Sequence, residues 1–263
     1  MFLKKFIIVK YLIFFLFFCS FGINANEINV LQFQNAKKLI DDKEYQEAIS
    51  ILTPLAENNF PSALLEMGKI YDYGKGTNID YPKAMDLYIK AAKLGNPEAH
   101  QRIGDLYNFG DGVDINQSKA MEWYLKAAEL GDPGAHRIIG LLYDFGDGVD
   151  INHSKAMDWY LKAVELGDPE AHRRIGVLYY FGDGVDVDYS KAMDWYLKAA
   201  ELEDPEAHQR IGTMYYYGDG VDVDYSKAME WYLKAAELDD PEAHRRIGKL
   251  YEFGDGVDVD LDE

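Results

Sequence analysis

Apolar and polar positions along most of the chain recur as a unit of 36 residues. Gly68, Gly104, Gly140, Gly176, Gly212 and Gly248 stand 36 apart, and the side chains around them return in the same order. In the unit from Pro97 to Asp132, turning successive residues by about 100° puts Ala99, Ile103, Leu106 and Tyr107 on one stripe. Past a Gly-Asp-Gly loop, a wider apolar arc holds Ala120, Met121, Trp123, Tyr124, Leu125, Ala127, Ala128 and Leu130, with Lys119, Glu122, Lys126 and Glu129 outside it. The first pattern predicts a helix, A, with one buried stripe. The second predicts a helix, B, that needs two neighbours, as in a stack of hairpins in which none buries its own surface alone. The arc places Trp123, Trp159, Trp195 and Trp231 in the interior.

Punctuation supports those boundaries. Asn96, Asp132, Asp168, Asp204 and Asp240 each precede a proline, an N-cap acceptor followed by the residue best suited to the first helical turn. Gly110 offers the left-handed turn that ends helix A, and Asp80, Asn116, Asn152, Asp188 and Asp224 are the equivalent caps of helix B. The units are 61–96, 97–132, 133–168, 169–204, 205–240 and a partial one, 241–263, that stops before a helix B. Ahead of them, Ala36, Leu39, Tyr45, Ala48, Leu52 and Leu55 have helical spacing interrupted near Asp41-Asp42-Lys43, so residues 26–60 read as a divergent capping hairpin.

The recurring residues Ala99, Ile103-Gly104, Leu106-Tyr107, Gly110 and Gly112-Val113, then Lys119-Ala120, Trp123-Tyr124 and Lys126-Ala127-Ala128-Glu129, resemble the Sel-1-like repeat, a relative of the tetratricopeptide repeat. The resemblance covers about residues 61–263. Departures are few: Thr77-Asn78 in the first loop, Leu87 in place of tryptophan, and Glu203 and Asp239 in place of the glycine after helix B. The resemblance implies an all-α, right-handed α-solenoid of antiparallel helix-turn-helix repeats with helix A on the concave side. It also implies an adaptor for protein complexes, with envelope or host-interaction roles in exported bacterial members. The alternative it offers is a secreted β-lactam hydrolase, a role attached to relatives with a cysteine pair in each repeat that this chain lacks.

Composition narrows the classes further. With 48% hydrophobic and 28% charged residues, the chain can bury a core. Residues 1–25 differ from the rest: Lys4, Lys5 and Lys10, an apolar run from Tyr11 to Phe18, and Ile23-Asn24-Ala25 form the layout of a signal peptide cleaved after Ala25. The run is shorter than the roughly 20 residues a spanning helix needs. A periplasmic or secreted protein without membrane insertion is therefore expected. The single cysteine, Cys19, lies in this leader, and Phe17-Phe18 before it do not match a lipidation box. The exported part thus has no disulfide, thiolate metal site or cysteine nucleophile. Removing the leader's three lysines takes the net charge from -19 to -22, which opposes nucleic acid and anionic lipid as partners.

Candidate chemistry recurs in register. His100, His136, His172, His208 and His244 form a column, but equivalent side chains on neighbouring helices, whose axes lie about 8–10 Å apart, do not converge on one ion. Asp183, Asp186 and Asp188 lack the ligand order of a calcium loop, and Asp188 caps a helix. The sequons at Asn116 and Asn152 also fall on caps. No nucleophile or metalloprotease motif is present, so neither catalysis nor a cofactor is expected.

What differs among near-identical units marks the expected binding surface. Counting from the proline, the ninth position reads Asp105, Leu141, Val177, Thr213 and Lys249, and the twelfth reads Asn108, Asp144, Tyr180, Tyr216 and Glu252. Beside them lies the fifth: Gln101, Arg137, Arg173, Gln209 and Arg245. All seven arginines occupy the fifth or sixth position. The wheel sets this strip opposite the apolar stripe, predicting a groove for a protein or peptide, an acidic or carboxylate-bearing one if the guanidinium groups are open. The other reading, in which the arginines pair with nearby acids, remains open on sequence alone.

Overall fold

The computed structural model describes residues 24–254, an all-α repeat solenoid with no strand among them. Nearly all of the predicted leader, with Cys19, and residues 255–263 lie outside the described residues. The N-terminal hairpin is α1 (Ala25–Asp41) and α2 (Tyr45–Glu57). The A helices are α3 (Pro61–Tyr73), α5 (Pro97–Phe109), α7 (Pro133–Phe145), α9 (Pro169–Phe181), α11 (Pro205–Tyr217) and α13 (Pro241–Phe253). The B helices are α4 (Tyr81–Lys93), α6 (Gln117–Glu129), α8 (His153–Glu165), α10 (Tyr189–Glu201) and α12 (Tyr225–Glu237). The chain divides between Ile115 and Asn116 into two compact units, and in each of them every helix packs against the next in sequence.

The helix ends follow from the cap chemistry. Asp168 Oδ1 accepts the amide of Ala171 at 2.8 Å ahead of α9, and Asp188 Oδ1 that of Lys191 at 3.0 Å ahead of α10. Gly146, at φ 79°, ends α7 and donates its amide to the Leu142 carbonyl. The second loop glycine answers to close approach as well. A β-carbon on Gly184 would lie 2.6 Å from His153 Cβ, and one on Gly220 2.6 Å from Tyr189 Cβ, so each loop stacks on the start of the preceding B helix.

Inside each hairpin a tyrosine of helix B lies against the glycine of helix A. A β-carbon on Gly140 would sit 2.5 Å from the Tyr160 ring, and one on Gly176 2.6 Å from that of Tyr196. These tyrosines are among the largest fully buried side chains, and around Tyr196 pack Ala192, Ala199, Ala207, Ile211 and Met214. The tryptophans expected in the interior are instead half-buried. Trp159 lies at the rim, its ring 5.5 Å from that of His136 and capped by Lys162 Nζ at 4.4 Å; Trp195 repeats this with His172 and Lys198. Leu125 and Leu130, also assigned to the buried arc, are exposed. The arc was wide because it includes the rim, and the centre belongs to tyrosine.

That contact sets a test with an internal control. Gly176→Ala must push the Tyr196 ring aside and is expected to cost about 1–3 kcal/mol, the usual range for overpacking. Among the described residues, Gly248 has no helix B beside it and nothing within 4 Å of its virtual β-carbon. Gly248→Ala should therefore stabilise α13 by about 0.5–1 kcal/mol. Urea unfolding of both variants reads the difference; equal effects would remove the glycine–tyrosine contact as the reason for the 36-residue glycine.

Candidate functional site

The arginine strip is paired within the molecule. Arg137 donates from Nε to Asp168 at 3.2 Å and reaches Glu170 at 3.0 Å. Arg173, 5% exposed, donates from Nε to Asp204 at 3.1 Å and meets Glu206 at 2.8 Å and Glu170 at 3.1 Å. Each clamp therefore ends on the aspartate that also caps the next A helix. Sixth-position Arg174, Arg210 and Arg246 reach back one turn to Glu170, Glu206 and Glu242, Arg102 pairs with Glu98, and Arg245 also pairs with Glu242. Burial opposes ionisation of Glu170, but Arg137, Arg173 and Arg174 outweigh it and hold its carboxyl below the ordinary glutamate range. The expected groove of open guanidinium groups is thus corrected: the acids that take them sit 31 to 33 residues ahead or within a turn. At Gln209 the clamp is missing; its side chain, 5% exposed, donates to Thr213 Oγ1 at 3.0 Å.

The ninth and twelfth positions are more enclosed than a free face would be. Leu141 and Val177 pack on the hydrophobic clusters of their repeats, and Asp144 is buried. Asn108, Tyr180, Thr213 and Tyr216 are half-buried, and only Arg245, Lys249 and Glu252 on α13 are exposed. A helices are walled on more sides than one wheel suggests.

What these positions do locally is serve the buried tyrosine of helix B. Asp144 accepts the Tyr160 hydroxyl at 3.1 Å and His153 Nδ1–H at 2.9 Å; in the first unit Asp72 accepts the Tyr88 hydroxyl at 2.9 Å. Where the twelfth position becomes Tyr180, its ring meets Tyr189 at 5.2 Å and its hydroxyl donates to Asp219. The Tyr196 hydroxyl is then buried with no hydrogen-bond partner among the described residues. One repeat later the Tyr232 hydroxyl finds Thr213 Oγ1 at 3.3 Å, and Tyr216 lies 5.4 Å from Tyr225. Burial pushes the Tyr160 and Tyr196 phenols well above their ordinary range. Sequence reasoning missed the partner column at the twenty-first position, His153, Tyr189 and Tyr225. Its signal was legible, since it changes in step with the twelfth.

A family model described as Sel1 repeat matches residues 61–96, 97–132, 133–168, 169–204, 205–240 and 241–263. The chain belongs to the Sel1 repeat family. This Sel1 fold is similar to the crystal structure of a Sel1 repeat protein from Oxalobacter formigenes, at 32% identity and a TM-score of 0.78, covering 88% of this chain and 94% of that one. It is also similar to c5321, described as a protective antigen of uropathogenic Escherichia coli strains displaying an SLR fold, at 28% identity and a TM-score of 0.66. That match covers 87% of this chain and 53% of the other. Immunity protein Pa5087 from Pseudomonas aeruginosa shares the fold at 19% identity and a TM-score of 0.62, over 82% and 83% of the two chains. Among curated proteins, none matches the sequence. Sel1 repeats are in general protein-interaction scaffolds.

The orphaned hydroxyl gives a second test. Tyr196→Phe should leave stability unchanged or raise it, whereas Tyr160→Phe should lose about 1 kcal/mol with the Asp144 bond. Val177→Thr, copying Thr213 of the following repeat, should gain about 1 kcal/mol by giving Tyr196 a partner. Denaturant midpoints decide it; a cost for Tyr196→Phe matching that of Tyr160→Phe would contradict the assignment.

Proposed function

We propose that this Sel1 repeat protein is an exported, non-catalytic scaffold that holds a protein or peptide partner along its A-helix side. One observation carries the reading: units that are otherwise close copies differ most at A-helix positions nine and twelve, beside a fifth position that is either Arg or Gln. An array with a constant frame and side chains that change step by step suits recognition of an extended partner. In the second unit the half-exposed rings of Tyr180 and Tyr216 are of the type enriched at binding hot spots, with Thr213 and Val177 beside them on the same helices. The arginines act as structural members here. An acidic partner would have to displace Asp204 and Glu206 from Arg173 before it could be gripped, which argues against a carboxylate as the preferred ligand.

Export is supported by the basic start and apolar run of residues 1–25. Among the described residues, no helix is long and apolar enough to cross a membrane. The β-lactam hydrolase alternative loses ground because the cysteine pairs of those relatives are missing and the histidines serve the fold. His136, His172 and His208 each donate Nδ1–H to the backbone carbonyl four residues back, and each ring lies against a tryptophan.

Two measurements test this. Tyr180→Ala with Tyr216→Ala should lower the melting temperature through the packing lost on Tyr189 and Tyr225, yet the variant, still helical by circular dichroism at the capture temperature, should fail to capture a partner from envelope extract or culture medium, identified by mass spectrometry. Capture that survives this pair but is lost on Glu122→Lys with Glu129→Lys would move the site to the B helices. N-terminal sequencing of the protein from its native host should start at or near Asn26; an intact Met1 terminus in a membrane fraction would refute export by cleavage.

A further inference from the structure

The C-terminal ends of the A helices and the loops after them carry apolar side chains that repeat packing leaves more than half exposed, although the Tyr217 hydroxyl also meets Arg246 of the next A helix. In the second unit Phe145, Phe181 and Tyr217 end α7, α9 and α11 and are 59%, 56% and 58% exposed. Six residues on, Ile151, Val187 and Val223 sit over the glycine that ends each helix, 2.7 to 2.8 Å from where its β-carbon would be, and each is more than half exposed. Every one of these repeats therefore offers solvent an aromatic ring and an aliphatic side chain flanking one glycine. The approaches of Gly184 to His153 and Gly220 to Tyr189 hold successive loops in a row.

Charge on this edge is mainly negative: among the described residues Lys191 and Lys227, at the starts of the B helices, form ion pairs only with Asp188 and Asp224. The loops 146–152, 182–188 and 218–224 contain no lysine or arginine. Asp147, Asp150, Asp183, Asp186 and Asp222 form no ion pair among the described residues, whereas the acids at the opposite ends of the A helices, Asp168, Glu170, Asp204 and Glu206, are held by arginine. Contiguous exposed apolar side chains mark contact surfaces. Uncompensated carboxylates beside them attract cations and repel acids.

We infer that this loop edge of the second unit docks a cationic, apolar segment of a partner protein. Its lysine or arginine side chains meet Asp183, Asp186 and Asp222, and its apolar side chains cover Phe181, Val187 and Tyr217. Cations lying over the exposed rings add to the same preference. The inference rests on the scaffold reading and deepens it by stating the partner's chemistry.

The test uses the full exported chain and a labelled synthetic peptide alternating lysine with leucine, followed by fluorescence anisotropy at low and high salt. The peptide should bind, more weakly as salt rises. Asp183→Asn with Asp186→Asn and Asp222→Asn, and separately Phe181→Ser with Tyr217→Ser, should each weaken it by about tenfold, the scale of 1.4 kcal/mol. Asp158→Asn with Asp194→Asn and Glu230→Gln removes the same charge from exposed B-helix positions and should change affinity less than about twofold. Equal weakening by that control, equal affinity for a lysine–serine peptide, or no binding by the parent would overturn the inference. So would a calcium-induced rise in melting temperature that the loop asparagine variant abolishes, since the carboxylates would then serve a metal. Partner capture that survives both loop variants but is lost on Tyr180→Ala with Tyr216→Ala would sink the inference and leave the scaffold reading standing.

Discussion

A tyrosine ring occupying the space of a missing β-carbon fixes how closely helix A and helix B of each repeat approach. With Gly140 under Tyr160, Gly176 under Tyr196 and Gly212 under Tyr232, the hairpins share one geometry, and small residues such as Ala192, Ala199 and Ala207 complete the contact. Choosing tyrosine for that place brings a hydroxyl into the interior, which needs a partner to avoid a desolvation cost. The repeats answer differently: a carboxylate at Asp144, a hydroxyl at Thr213, and none at Tyr196. Variation at the ninth and twelfth positions is thus tied first to the core and only then to the surface.

A second constraint is the double duty of Asp168 and Asp204, each standing before the proline that opens an A helix. Asp204 accepts the amide of Ala207 at 2.7 Å and the Arg173 Nε–H at 3.1 Å, so one carboxylate starts a helix and joins two repeats. Buried ion pairs of this kind specify geometry more than they add stability, because desolvation offsets much of the attraction. They also sort the charge of an acidic protein. Asp168 and Asp204 at the starts of A helices are neutralised by arginine, while Asp183, Asp186 and Asp222 in the loops after them form no ion pair among the described residues.

Much of the architecture was legible in the sequence because it is written in residues with narrow conformational roles. Asp-Pro and Asn-Pro opened the A helices where the structure begins them, and Gly110, Gly146, Gly182 and Gly218 ended them. Depth within an apolar arc was not legible. Periodicity gives a direction, and both Trp195 and Tyr196 lie within the arc, yet only the tyrosine fits over a glycine. The pairing of the arginines was hidden for a related reason: Arg173 and Asp204 stand 31 residues apart, and only the stacking of one hairpin on the next makes them neighbours. Most of the variable strip could be located, but not how much of it the next repeat would cover.

The links between consecutive repeats connect fixed positions of one unit to fixed positions of the next: an arginine to the aspartate 31 residues on, and a loop glycine to the first residue of the preceding helix B. Removing or duplicating 36 residues therefore presents each broken link with an equivalent mate. Recombination between units can lengthen or shorten such an array without inventing a new interface, and each inserted copy brings its own ninth, twelfth and twenty-first residues with it. The hidden tyrosine and its partner travel together in one copy, so the interior is inherited whole while the order of exposed side chains along the array is reshuffled.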